Sequence, residues 1–285
     1  MVEVGLKTLS QLVLLALAAA AGAQCAADTP AFDVTNIVTK VRLTEDRIEY
    51  SGLITHEANA GVFELYETAD PKPEALLIES QGGSADAGIE LGTWLFENGL
   101  QVQIDTYCFS SCANYVFPAG RSRLLSAHAS LMWHGGVTEP ITQDELAQVL
   151  EQTLGDMSEE ERRELLQKHS RGDLLQQLQQ SLRSIVARET YFFRRLGVDQ
   201  RITTLGHLYE HELLKGEGYY LGWDFSLEDM ARLGIHDISI KGGETWQPAF
   251  PVRGQKIYRI HLDELPEFQP RFAPTHFSRE YAQAH

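Results

Sequence analysis

Three short segments hold the residue types that nucleophilic catalysis needs. The first, Glu79-Ser80-Gln81-Gly82-Gly83-Ser84, closes an apolar run and turns through two glycines. Glycine admits left-handed backbone and leaves main-chain N–H groups open to a developing oxyanion; the plainer alternative is an ordinary strand-to-helix turn. The second is Tyr107-Cys108-Phe109-Ser110-Ser111-Cys112-Ala113, at the junction of a strand and a short helix. A serine there lies near the positive end of the helix dipole, and the amide that follows it can face an oxyanion. The alternative is that Ser110 or Ser111 merely caps the helix. The third, Ser130-Leu131-Met132-Trp133-His134-Gly135-Gly136, ends a buried strand on a histidine. A serine hydroxyl is a weak nucleophile until a base takes its proton, and imidazole titrates near neutrality; the alternative is a structural histidine. His128 precedes that strand and is expected at its opposite end.

Cys108 and Cys112 flank both serines. In an oxidising compartment they are candidates for a disulfide that stiffens the turn, the alternative being two buried thiols.

Positioning these segments requires the elements around them. Residues 41–43 and 47–53 read as two short strands, and 58–67 as a helix stopped by Pro71 and Pro73. Ala75-Leu76-Leu77-Ile78 is a continuous apolar run between a proline and glycines, the pattern of a buried parallel strand. A helix over 85–98 closes on Gly99, and a strand follows at 102–105. Residues 108–111 read as a turn and 112–117 as a short helix ended by Pro118. Two further strands are expected at 123–125 and 130–133. Thr142-x-x-Glu145 and Ser158-x-x-Glu161 are capping-box patterns that open helices at about 142–154 and 158–169. Leu175, Leu178, Leu182, Ile185, Phe192 and Leu196 recur at three- and four-residue steps, which predicts one amphipathic helix over 173–196 stopped by Gly197. A short helix over 226–233, a strand over 236–240 and one at 256–261 complete the order. Alternating β and α elements imply α/β architecture with parallel strands.

In this order the three segments resemble the Clp protease proteolytic subunit and its wider Clp/crotonase superfamily. Glu79-Ser80-Gln81-Gly82-Gly83 is similar to that family's Gly-Gly turn, with Gln81 in place of the usual proline. Counting back nine residues from Gly120 in Ala119-Gly120, as the family spacing implies, selects Ser111 rather than Ser110, and His134 follows 23 residues later. The helix ending at Leu196 resembles the family's handle helix. Ser226-Leu227-Glu228-Asp229-Met230-Ala231-Arg232-Leu233-Gly234-Ile235 resembles its final segment. Around Cys-x-Ser-x-Cys-Ala the chain is similar to an exported bacterial branch. The resemblance covers residues 37–240 and implies a fold of repeated ββα units, with 139–171 as a helical insertion. It implies Ser111 as nucleophile, His134 as base, and an oxyanion hole of the Gly82 or Gly83 amide together with that of Cys112. The family's aspartate has no clean counterpart; Glu217, Glu212, Asp224 and Glu210 are the candidates in that order, the alternative being a Ser–His dyad. No cofactor and no metal is implied. The substrate would be a peptide or unfolded protein, and the chain a possible homo-oligomer.

Composition is that of an ordinary globular protein: 285 residues, 43% hydrophobic and 22% charged. The net charge of −16 repels phosphate backbones, so nucleic acid is excluded as an expected partner. Residues 1–23 carry Lys7, an apolar run of about 15 residues, and Ala21-Gly22-Ala23, the pattern of a signal peptide cleaved after Ala23. Removal of Glu3 and Lys7 leaves the charge at −16. Export to the periplasm follows as an expectation, beyond reach of an ATP-driven cytosolic unfoldase. Residues 24–36 read as a flexible lead-in and 241–285 as an irregular extension on the surface or a neighbouring subunit.

Three other chemistries compete. His207-Leu208-Tyr209-Glu210-His211 matches H-x-x-E-H, in which two histidines on one helix face bind zinc beside a glutamate base, but no third ligand is evident. An acyl-CoA enzyme of crotonase type would keep the oxyanion donors without the nucleophile, and export argues against it. A non-catalytic binding module would keep the fold alone, and the missing acid favours it.

Overall fold

The computed structural model describes residues 38–44, 46–138, 141–209, 220–249 and 256–264. The expected signal peptide, the lead-in through residue 36 and the acid candidates Glu210, Glu212 and Glu217 lie outside these residues.

The fold is α/β, with a mostly parallel central sheet. Strands β1 (Lys40–Leu43) and β2 (Arg47–Ser51) form an antiparallel hairpin at one edge. The sheet then runs through β3 (Ala75–Glu79), β4 (Gln101–Ile104), β6 (Arg123–Leu125) and β9 (Ile238–Ile240), each parallel to its neighbour. Helix α1 (His56–Thr68) leads from β2 to β3, and α2 (Ala85–Asn98) from β3 to β4. Ser84 caps α2 by accepting from the Ala87 amide, and Gly99 ends it in a left-handed conformation. Leu76 and Ile78 of β3, Leu91 and Leu95 of α2, and Val102 and Ile104 of β4 are fully buried together in the main core.

A second layer of strands branches from the first. β5 (Tyr107–Phe109) takes over pairing from the end of β3: the Ser80 amide donates to the Tyr107 carbonyl at 3.3 Å and the Phe109 amide to the Ser80 carbonyl at 2.9 Å. β5 pairs in parallel with β7 (Ser130–Met132). Trp133 and Trp223 then exchange main-chain hydrogen bonds of 2.9 and 2.7 Å, joining this pair to β8 (Tyr220–Phe225), which is parallel to β10 (Lys256–Ile260). One expectation is corrected here. Cys108 and Phe109 belong to a strand rather than a turn. The strand before His134 pairs with the serine's own strand, β6 being filled by β4 and β9. β8 was not expected at all. Gly222 and Asp224 interrupt its apolar pattern, and Gly222 is there for clearance: a Cβ at that position would lie 2.2 Å from the Trp133 carbonyl oxygen.

The expected insertion forms helices α3 (Gln143–Asp156) and α4 (Glu159–Lys168), each opened by a complete capping box. A third, Ser170 with Asp173, starts α5 (Arg171–Leu196); aspartate in place of glutamate kept it out of the sequence pattern. Leu146, Leu150, Leu154, Leu165, Leu174 and Leu178 make a small core of their own between α3, α4 and the first half of α5. The second half of α5 packs Ile185, Phe192 and Phe193 into the main core. A short helix α6 (Leu227–Arg232), capped by Ser226, precedes β9.

The described part of the extension lies on this same chain. Trp246 Nε1 donates to the Ala129 carbonyl at 2.8 Å, and the Gln247 and Ala249 amides to those of Ala127 and His128. Ile260 and Leu262 are buried in the main core.

Candidate active site

The three segments meet where β3, β5 and β7 end. After β3 the chain turns through Gly82 (φ 102°) and Gly83 (φ 151°), values that favour glycine. Contact requires glycine as well. A Cβ on Gly83 would sit 2.3 Å from the Ile54 carbonyl oxygen, and one on Gly82 would sit 2.6 Å from the Ser110 Cβ. The turn is pinned to Ile54, whose amide donates to the Gly82 carbonyl at 2.8 Å while the Ser84 amide donates back at 3.1 Å. The Gly82 amide itself donates to the Ser80 hydroxyl at 3.0 Å. Of the two expected oxyanion donors in this turn, Gly82 is therefore engaged in the turn's own support. Both amide atoms of Gln81 are buried with no hydrogen-bond partner among the described residues.

Ser110 stands at the corner between β5 and the helix that follows. Its φ is 55°, one of two positive values at non-glycine positions among the described residues, the other being Asp237. Its amide donates to the Met132 carbonyl at 2.9 Å, which fastens the corner to the strand that ends at His134, and its carbonyl accepts from the Asn114 amide at 2.8 Å. Ser110 is half-buried. Ser111 is 3% exposed, and its hydroxyl donates to the Gly83 carbonyl at 2.9 Å, under the glycine turn. Cys108 and Cys112 are joined by a disulfide with Cα atoms 5.3 Å apart, spanning the corner on either side of both serines.

The helix after the corner corrects another expectation. Residues Cys112–Val116 form a π-helix, in which the Phe117 amide reaches back five residues to the Cys112 carbonyl. Pro118 does not end it; it lies inside a 3-10 turn, Phe117–Ala119, that prolongs the same rod. All five residues of the π-helix are buried. A single-turn π segment holds one more residue than an α-helical turn covering the same path.

His134 is half-buried at the end of β7, and its Cβ lies 3.1 Å from where a Gly222 side chain would begin. The loop after it is held from two sides. Asn114 Nδ2 of the π-helix donates to the Gly135 carbonyl at 2.8 Å. Glu189, fully buried on α5, accepts from the Tyr115 hydroxyl and from Gln200 Nε2, each at 2.7 Å. The Val137 amide and the Thr138 hydroxyl also donate to it. Burial pushes the Glu189 carboxyl above the ordinary range, against these four donors, which favour the anion. Sequence reasoning missed Glu189. The signal is present, because position 189 falls on the apolar stripe of α5, four residues after Ile185 and three before Phe192, where a charged residue is out of place.

Of the acid candidates only Asp224 is described. It is 3% exposed and both of its oxygens take hydrogen bonds from the Arg259 guanidinium. That pairing raises the Arg259 pKa. Glu217, Glu212 and Glu210 lie outside the described residues. Of the H-x-x-E-H pattern, His207 lies in a 3-10 turn, edge-on to Trp223 with ring centroids 5.2 Å apart. Glu210 and His211 are outside the described residues, and among the described residues no three His, Cys, Asp or Glu side chains group to hold a metal.

No family model and no curated protein matches the chain. Among solved structures it is similar to a membrane-bound stomatin-specific protease, 1510-N, at 14% identity and a TM-score of 0.28, over 42% of this chain and 70% of that one.

Proposed function

We propose that the chain is a serine hydrolase of Clp/crotonase type. On this reading it is an exported peptidase that cuts unfolded segments or small peptides without a cofactor or an unfoldase. The observation that carries it is the parallel pairing of β5 with β7, closed by the Ser110 amide on the Met132 carbonyl. It brings the Ser110-Ser111 corner and His134 to the same end of two adjacent strands, beside the Gly82-Gly83 turn. The chemistry is nucleophilic. A serine oxygen of the corner attacks the substrate carbonyl, and its proton passes to a His134 ring nitrogen. The oxyanion is met by the Gly83 amide and by an amide at the start of the π-helix, where the first N–H groups have no intrahelical acceptor. His134 then returns the proton to the leaving amine, and water repeats the sequence on the acyl-enzyme.

The test is covalent labelling of the purified protein with a fluorophosphonate. Labelling is expected in the wild type and lost, by at least about a thousandfold in rate, in His134→Ala. A folded wild-type protein that takes no label overturns the proposal. A non-catalytic binding module that keeps the fold is the second reading; both oxygens of Asp224, the one acid candidate among the described residues, accept from Arg259.

A further inference from the structure

We infer that the nucleophile is Ser110, and that Ser111 is a positioning residue that fixes the glycine turn; this rests on the serine-hydrolase reading above. Four observations separate the two serines. The Ser111 hydroxyl is spent as a donor to the Gly83 carbonyl at 2.9 Å, and the residue is 3% exposed. It is packed against α2 as well, where a Cβ on Gly88 would meet the Ser111 Cβ at 3.2 Å. Ser110 is half-buried rather than enclosed, and its Cβ faces Gly82, the residue whose missing side chain opens the corner. Its backbone is held at φ 55°, in the left-handed region that a serine enters only at a cost of about 1–2 kcal/mol. A sharp corner between strand and helix with that conformation projects its side chain away from both elements, as a nucleophile requires. Strained backbone of this kind is retained where function needs it.

The π-helix explains why spacing selects the neighbour. Gly120 lies nine residues after Ser111 and ten after Ser110. A count that assumes α-helical geometry between serine and glycine falls one residue short when that path contains a π turn, and Cys112–Val116 is such a turn. The extra residue is absorbed inside the helix, so the corner itself holds Ser110. The second oxyanion donor moves with it, from the Cys112 amide to the Ser111 amide, whose nitrogen lies 3.0 Å from where a Gly82 Cβ would be.

Fluorophosphonate labelling followed by fragmentation of the labelled peptide decides the point. The attacking oxygen forms a P–O bond, fluoride leaves with the P–F electron pair, and the hydroxyl proton passes to His134. The adduct is expected on Ser110. An adduct on Ser111 overturns this inference while leaving the hydrolase reading intact; a folded protein with no adduct overturns both. Ser111→Ala is expected to label no more than about tenfold slower, the effect of one neutral hydrogen bond. Ser110→Ala is expected to slow labelling at least about a thousandfold. Ser110→Gly supplies the control for folding, because glycine relieves the positive φ: it should melt no lower than wild type and take no label. Ser110→Gly labelling at the wild-type rate overturns the assignment.

Discussion

Glu189 accepts four hydrogen bonds at a position where a leucine would satisfy the helix pattern, and its titration is therefore coupled to folding. Burial raises its pKa in the native state, so the native protein holds a proton there at pH values where the unfolded chain has released it. The sign follows: the stability tied to this proton is complete below the ordinary glutamate pKa and is lost as pH rises through the raised value. In Glu189→Gln that slope disappears. The stability of the wild type relative to the variant should be greatest at acid pH, shrink as pH rises through the raised value, and level off above it. Urea denaturation of both proteins across that range measures it, and a difference that grows with pH contradicts the assignment. At this scale the sequence was informative where residue type is restrictive. Gly82, Gly83 and His134 could be picked out because few residues can end a strand as they do. Ser110 and Ser111 could not be separated, since hydrogen-bond direction and backbone sign are properties of the folded corner.

The corner between β5 and the π-helix is reinforced by a covalent bond and by an arginine. The disulfide closes a loop with a sequence separation of 4, for which loop closure alone is worth about 2 kcal/mol. The variant Cys108→Ala/Cys112→Ala is expected to lose about that much in chemical denaturation. Its labelling rate should fall as well, because the corner that presents Ser110 loses its brace. An unchanged rate would show that the glycine turn suffices. Beyond the π-helix, Arg123 donates to the carbonyls of Phe117, Pro118 and His236, tying the helix end to the approach of β9. Burial lowers its pKa to about 10. Elements with local punctuation could be read from the sequence. Helix α2 is bounded by Ser84 and Gly99, and α3 and α4 by their capping boxes. The π-helix and β8 could not, because an i to i+5 ladder leaves no compositional mark and a strand holding Gly222 and Asp224 is specified by its neighbours.

Across the whole molecule the C-terminal extension is part of the fold it follows. β10 pairs with β8, the strand beside His134, and Arg259 neutralises the buried Asp224. Ile260 and Leu262 are 0% and 1% exposed. Ending the chain after residue 249 removes both side chains from the core, each worth about 1.5–3 kcal/mol, and strands a buried carboxylate at a further cost of about 3 kcal/mol. That truncation is expected to unfold in markedly less urea than the full chain. An unshifted midpoint would show that β10 does not support the site. Sequence reading placed a strand near this position but treated the extension as an appendage, because pairing between segments 30 or more residues apart has no local signature.

The long helix α5 belongs to two cores at once, and that makes it a lever. At 26 residues it is a rod about 39 Å long. Its first half is gripped by α3 and α4, and its second half carries Glu189 to the loop behind His134. Force applied to the hairpin of α3 and α4 has a stiff path to the Ser110-Ser111 corner. Anything that grips that hairpin grips the base of the site from a distance, through the Glu189 hydrogen bonds to Tyr115 and to the loop after His134.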